Sequence, residues 1–168
     1  MDYTVIYSDR KTISLSVRGG VVTVRAPKRT PKSLIEDFVN RHRCFIEKHL
    51  TDEKKRIEKY NALTEFEIAK LKKEAGAYFL DKIEKYSKVM NLKYGRITIT
   101  GAKTRFGSCS SKGNISFSYM LMLYPEPARE YVVVHELAHL KEMNHSKNFY
   151  KVIEEILPDY KERARLLK

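Results

Sequence analysis

Residues 135–145 read His-Glu-Leu-Ala-His-Leu-Lys-Glu-Met-Asn-His and hold three of the five histidines of the chain. His135 and His139 are four apart, so on an α-helix their imidazoles stack on one face and can share a single Zn²⁺. Glu136 follows one position on, roughly 100° round the helix from His135. There it is poorly placed to join as a ligand, but it can hold and deprotonate a water activated by the metal. His145, six residues after His139, is the third ligand candidate. Three protein ligands leave one tetrahedral position open, which separates a catalytic zinc site from a closed structural one. The bland alternative is an amphipathic helix with incidental histidines, and the third histidine at this spacing weighs against it.

These side chains need a helix. Pro125 and Pro127 suit its start, and Ala128 to Met143 contains no Gly or Pro to break it. Val133, Leu137 and Leu140 fall opposite the histidines and are expected to bury against the scaffold. Ser146 is the expected N-cap of a further helix carrying Phe149, Val152, Ile153 and Ile156. The ligand spacing equals that of the metzincins, but Glu142 stands where they have Gly and no Met follows His145. That class is set aside, and the helix is expected to run on before His145 is presented. Glu142 lies on the histidine stripe; it reads either as a solvated helix-end carboxylate or as a hydrogen-bond partner that orients a ligand histidine.

The remainder bounds the class. At 168 residues and 42% hydrophobic, the chain can build one substantial core, and an α+β fold is expected. Cys44 and Cys109 give no disulfide framework, and Cys109, in a Gly/Ser-rich turn, reads as a small packed residue. Met1 to Val24 mixes charges with alternating apolar residues, unlike a signal peptide, and no apolar run reaches spanning length. A cytoplasmic protein with no membrane partner is expected; the sequence sets no oligomeric state.

Residues 1–60 read as an N-terminal antiparallel β meander, Tyr3 to Tyr7, Thr12 to Val17 and Val21 to Arg25, turning at Gly19-Gly20. A helix opened by Thr30-Pro31 follows, with Leu34, Ile35, Phe38, Val39, Phe45 and Ile46 at helical spacing. Within it His42 and His49 read as ordinary helix residues, since no third ligand accompanies them. Thr51 to Lys59 is dense in charge, a linker or exposed helical segment. A second domain is assigned to residues 61–168. Thr64-Glu65-Phe66-Glu67 is a capping box opening a helix to about Met90. Arg96 to Thr100 and Asn114 to Tyr119 read as strands. The latter is the candidate edge for an extended substrate, with Ser116 and Tyr119 as substrate contacts.

Between Glu84 and Glu126 there is no acidic residue, while Lys85, Lys88, Lys93, Arg96, Lys103, Arg105 and Lys112 are all positive. In a chain of net charge +12, this 85–125 stretch either attracts a nucleotide, DNA or acidic substrate or is a solvated lysine-rich surface. Arg105 is the candidate to hold a substrate carboxylate, phosphate or developing oxyanion; a structural salt bridge is its other reading.

Several segments together resemble the YgjP-like metallopeptidase family: Thr104 to Ser111, Asn114 to Phe117, Tyr131 to Leu140, Asn144-His145-Ser146 and Leu157 to Tyr160, with Arg10 to Leu15 and Arg25-Ala26-Pro27 near the start. The resemblance implies a zincin-like catalytic domain with a small sheet and a metal-binding active-site helix, related to the SprT and WLM groups. It implies His135, His139 and His145 as zinc ligands, Glu136 as general base, and a peptide or protein substrate. Some of those related groups act on proteins crosslinked to DNA. The chain departs from the family at Phe106, Tyr119 and Tyr150, where Trp is usual, at Ser118 and Met120, and in its short Thr51 to Leu63 segment. A zinc metallopeptidase is therefore expected. The alternatives are a metal-dependent nucleoside triphosphate phosphohydrolase, and a nucleic-acid-associated binding protein with a zinc site.

Overall fold

The computed structural model describes residues 2–167 and forms two compact units, Met1–Ala62 and Leu63–Lys168. The fold is α+β in both.

In the first unit, strands β1 (Thr4–Ser8), β2 (Ser14–Arg18) and β3 (Val21–Pro27) form a sheet of order β1-β3-β2. The β2–β3 hairpin is antiparallel, as expected, but β1 pairs with β3 in parallel, so the meander is corrected. The physical reason is burial: β3 carries Val22, Val24 and Ala26 into the core and takes the centre, with a strand on each edge. The expected single helix is two, α1 (Lys32–Arg41) and α2 (Arg43–Asn61), broken at His42, whose Nδ1 meets the Phe38 carbonyl at 2.7 Å. Ile35, Val39 and Ile46 close the core over the sheet.

Of the two readings of Thr51 to Lys59 the helical one holds and the linker does not: the segment is the second half of α2. Within this charge-dense stretch Glu53 turns inward, its carboxylate accepting the Gly19 and Gly20 N–H groups at 2.8 and 2.9 Å. Those glycines hold φ of 60° and 76°, which points both amides at one anion.

The second unit opens with α3 (Glu65–Met90), where both bonds of the Thr64/Glu67 capping box are present and Asn91 ends the helix in the left-handed region. Strands β4 (Ile97–Thr100), β5 (Gly107–Cys109) and β6 (Ile115–Ser118) make a sheet of order β4-β6-β5. β6 is parallel to β4 and antiparallel to β5, so it is the central strand and cannot be the substrate edge. Along the antiparallel pair, Gly107 faces the same side as Phe117 and Cys109 the same side as Ile115, while Ser108 and Ser116 share the other side and join through their hydroxyls at 2.8 Å. Phe117 stacks on Phe79 of α3 with ring centroids 4.6 Å apart, fixing α3 to the sheet.

After a 3₁₀ turn at Tyr119–Leu123 come α4 (Glu126–Ala138), α5 (Lys147–Ile156) and α6 (Tyr160–Arg165). α4 buries Val133, Val134, Leu137 and Ala138 completely. Glu130 of α4 ties three helices together: it accepts from Lys82 of α3 at 2.9 Å and from Arg163 of α6 at 2.8 Å. Burial pushes the Glu130 carboxyl up, but these two cations outweigh it and hold the group below the ordinary range. A depressed folded value means the carboxylate stabilises the fold above its unfolded value, about 4.3, and stops doing so as pH falls through the lower folded value. Glu130→Gln is therefore expected to lose about 3 kcal/mol in urea unfolding at pH 7. The gap to wild type should close when the measurement is repeated well below about pH 4.

Candidate metal centre

α4 ends sooner than its composition suggests. Ala138 is its last residue and His139 its C-cap, so the helix expected to Met143 stops after the second histidine. The turn is made by the Leu140 and Lys141 N–H groups donating to the Leu137 and Ala138 carbonyls, both at 3.0 Å. No residue of this turn has positive φ, which is why a glycine at position 142 is not required. The chain then reaches Ser146, whose hydroxyl caps α5 by accepting from the Phe149 N–H, and His145 is presented just before that cap.

The result brings all three histidines together. One nitrogen of each of His135, His139 and His145 lies within 4.8 Å of the others. The Nε2 atoms of His135 and His145 are 3.1 Å apart, close to the ~3.3 Å that two nitrogens of a tetrahedral zinc site subtend. The outer nitrogens of His135 and His139 are occupied. His139 Nδ1 meets the Glu142 carbonyl at 3.2 Å; a carbonyl only accepts, so this nitrogen carries the proton and leaves Nε2 free. Glu142 thus serves through its main chain rather than its carboxylate. His135 Nδ1 lies 3.4 Å from the Tyr131 hydroxyl, one turn earlier on α4. Burial, and then the two neighbouring imidazoles, push His135 down to about 3, so its ring is neutral and its lone pair available. His139 is pushed down by burial as well. Three convergent imidazole nitrogens, two of them on rings whose outer nitrogens are already bonded, fit a divalent metal ion.

Two supporting residues carried no warning in the sequence. Phe149, fully buried, packs its ring 4.9, 4.6 and 4.7 Å from the rings of His135, His139 and His145, making an apolar floor common to all three. Its place on the apolar face of α5 was legible, its neighbours were not. Tyr131 orients His135, and burial pushes its hydroxyl up to about 12, keeping it a neutral partner. Tyr131→Phe is expected to weaken metal binding about 10-fold with the fold intact, read by competition against a chromogenic chelator.

Glu136 is 5% exposed and faces β5. Burial pushes its carboxyl up to about 7, with the Arg105 guanidinium pulling the other way. Arg105, itself exposed, is thereby placed within electrostatic reach of the base. Its loop is pinned by Ser118, whose N–H donates to the Phe106 carbonyl and whose hydroxyl donates to the Ala102 carbonyl, each at 2.8 Å. Cys109 also neighbours Glu136; burial and then that carboxylate push its thiol up, which leaves it protonated and unsuited to attack.

Ser116 and Tyr119 are engaged elsewhere. Ser116 bonds Ser108 on the sheet face opposite Gly107 and Cys109. Tyr119 is buried, packs against Gly101 and lies beneath the Lys72 ammonium. Of the basic 85–125 stretch, Lys88 is bonded to Glu84 at 2.7 Å, an acid just outside it. No helix among the described residues is long and apolar enough to cross a membrane.

Nitrogen donors gathered beside a buried carboxylate, on an α+β scaffold, are the equipment of a metal-dependent hydrolase. Residues 68–168 match the YgjP-like metallopeptidase domain, and the chain belongs to that family. Over 59 residues it is 37% identical to the UTP pyrophosphatase of Escherichia coli (strain K12), a stretch that spans 35% of each protein, so about a third of that relative's length is matched. Among solved structures it is similar to two metallopeptidase zymogens. Abylysin of Pyrococcus abyssi is 24% identical with a TM-score of 0.49, covering 53% of this chain and 90% of that one. Jannalysin of Methanocaldococcus jannaschii is 19% identical with a TM-score of 0.47, covering 53% and 92%.

Proposed function

We propose that this chain is a zinc-dependent peptidase in which Glu136 is the general base and acid. The observation that carries the reading is the convergence of His135, His139 and His145 on one point, with Glu136 next to His135 on α4. His135, His139 and His145 would hold a zinc ion, which would supply Lewis acidity to the attacking water and the scissile group. Glu136 accepts the proton of the attacking water on its carboxylate and returns it to the leaving amine. A group whose burial already raises its affinity for a proton suits this two-way transfer. Arg105 offsets negative charge developing on the substrate oxygen. β5 is an edge of its sheet and packs on α4, so an extended peptide adding to β5 would run past Glu136.

A second reading is favoured by the matched stretch of the Escherichia coli UTP pyrophosphatase. The same water would attack a phosphoanhydride, with Arg105 and lysines of the 85–125 stretch holding the phosphates. DNA recruited through those lysines is a further partner to test. Zinc-loaded protein incubated with denatured casein and, separately, with UTP distinguishes these readings. New peptide termini, abolished by chelator, support the peptidase; pyrophosphate release without proteolysis supports the phosphohydrolase. Zinc-loaded protein inert on both would overturn the two together.

A further inference from the structure

Gly107 opens β5, and a Cβ built on it would lie 2.7 Å from Glu136 Oε1, 2.8 Å from Cγ and 2.9 Å from Cδ. Contacts this short against three successive groups mean that a methyl would overlap the distal half of the glutamate rather than brush its tip. The backbone at Gly107 is not in the left-handed region, unlike Gly19, Gly20 and Gly113. Conformational freedom therefore does not explain the glycine; missing volume does. The Glu136 side chain occupies the place that a side chain at 107 would take, on the face of β5 shared with Cys109.

This matters because a glutamate has three rotatable side-chain bonds, and a base must be held within a fraction of an ångström of its proton. The α4 backbone anchors Glu136 at one end only. The bare main chain of β5 walls the other end, and Glu136 is 5% exposed.

We infer that Gly107 is a positioning residue for Glu136: its absent side chain forms the slot that aims the carboxylate at the water attacking the substrate. The inference rests on the proposed role of Glu136 as general base. Gly107 itself touches neither metal nor substrate.

The test is a pair of double-mutant cycles on the zinc-loaded full chain. In the first, Gly107→Ala, Glu136→Gln and the double variant are assayed on denatured casein and on UTP, with zinc content measured for each. Gly107→Ala is expected to keep its zinc and lower kcat about 100-fold with KM nearly unchanged, and to cause no further loss in the Glu136→Gln background. In the second, which needs no substrate, thermal unfolding is followed for Gly107→Ala alone and combined with Glu136→Ala. The alanine at 107 should lower Tm when Glu136 is present and have little effect once that side chain is removed. Unchanged kcat in Gly107→Ala beside an inactive Glu136→Gln overturns the inference and leaves the general-base reading standing. An equal Tm drop in both backgrounds also overturns it, since the glycine then serves only strand packing. Full turnover by Glu136→Gln overturns the general-base reading and this inference with it.

Discussion

Glu136→Gln is expected to reduce hydrolysis by about 10²–10⁴-fold while the protein keeps its metal and its fold. The two side chains have the same length, so glutamine still fits against the bare backbone at Gly107. Removing a charge here is not destabilising in itself, because burial already raises the Glu136 carboxyl to about 7 and so disfavours its ionised form. What is lost is an acceptor for the water proton and a donor to the leaving group. Metal content should be unaffected, since the three imidazoles come from other positions and keep their outer contacts to Tyr131 and the Glu142 carbonyl. The measurement is kcat on the active substrate beside zinc per chain by mass spectrometry. Full turnover with zinc bound would mean that another group moves the proton.

Which parts were legible in the sequence follows from the range of the interactions concerned. Thr64 with Glu67, and Ser146 with Phe149, close bonds three residues apart, so helix starts could be read locally. The histidine triplet was readable because two of its members share a helix and the third follows within one turn and a cap. By contrast, the parallel β1–β3 pairing joins segments about 20 residues apart, and a hairpin signal at Gly19-Gly20 says nothing about the third strand. β5 is three residues of small polar type with no strand propensity of its own, formed by pairing with β6 and packing on α4. Without β5 beside it, β6 reads as an edge strand and Ser116 as a substrate contact. The end of α4 carried no Gly or Pro, and its turn is fixed by the bond from His139 to the Glu142 carbonyl. Gly107 and Phe149 owe their importance to what lies opposite them in space, which spacing along one chain does not encode.

His145→Ala is expected to lower zinc content from about one per chain to a small fraction after dialysis, and to remove activity at ordinary metal concentrations. Of the three proposed ligands His145 is the most easily deleted without damage to the scaffold: it is exposed and lies outside α4, whereas His135 is partly buried within that helix. The neighbouring cap from Ser146 to Phe149 does not involve its side chain, so α5 and the Phe149 floor should persist, giving an unchanged far-ultraviolet spectrum. Dividing a zinc binding free energy of ~10–16 kcal/mol over four ligands gives ~2.5–4 kcal/mol for one imidazole, a weakening of roughly 10²–10³-fold. Loss on that scale leaves a two-histidine site that excess zinc can refill in part, so activity should return partially as zinc is raised. The same titration should raise the Tm of wild type at lower zinc than that of the variant, because a ligand stabilises the folded state only once it exceeds its dissociation constant. Wild-type zinc content in His145→Ala would instead place the third ligand elsewhere. The convergence of His145 on His135 would then be a packing contact between two rings, and the hydrolase reading would lose its central observation.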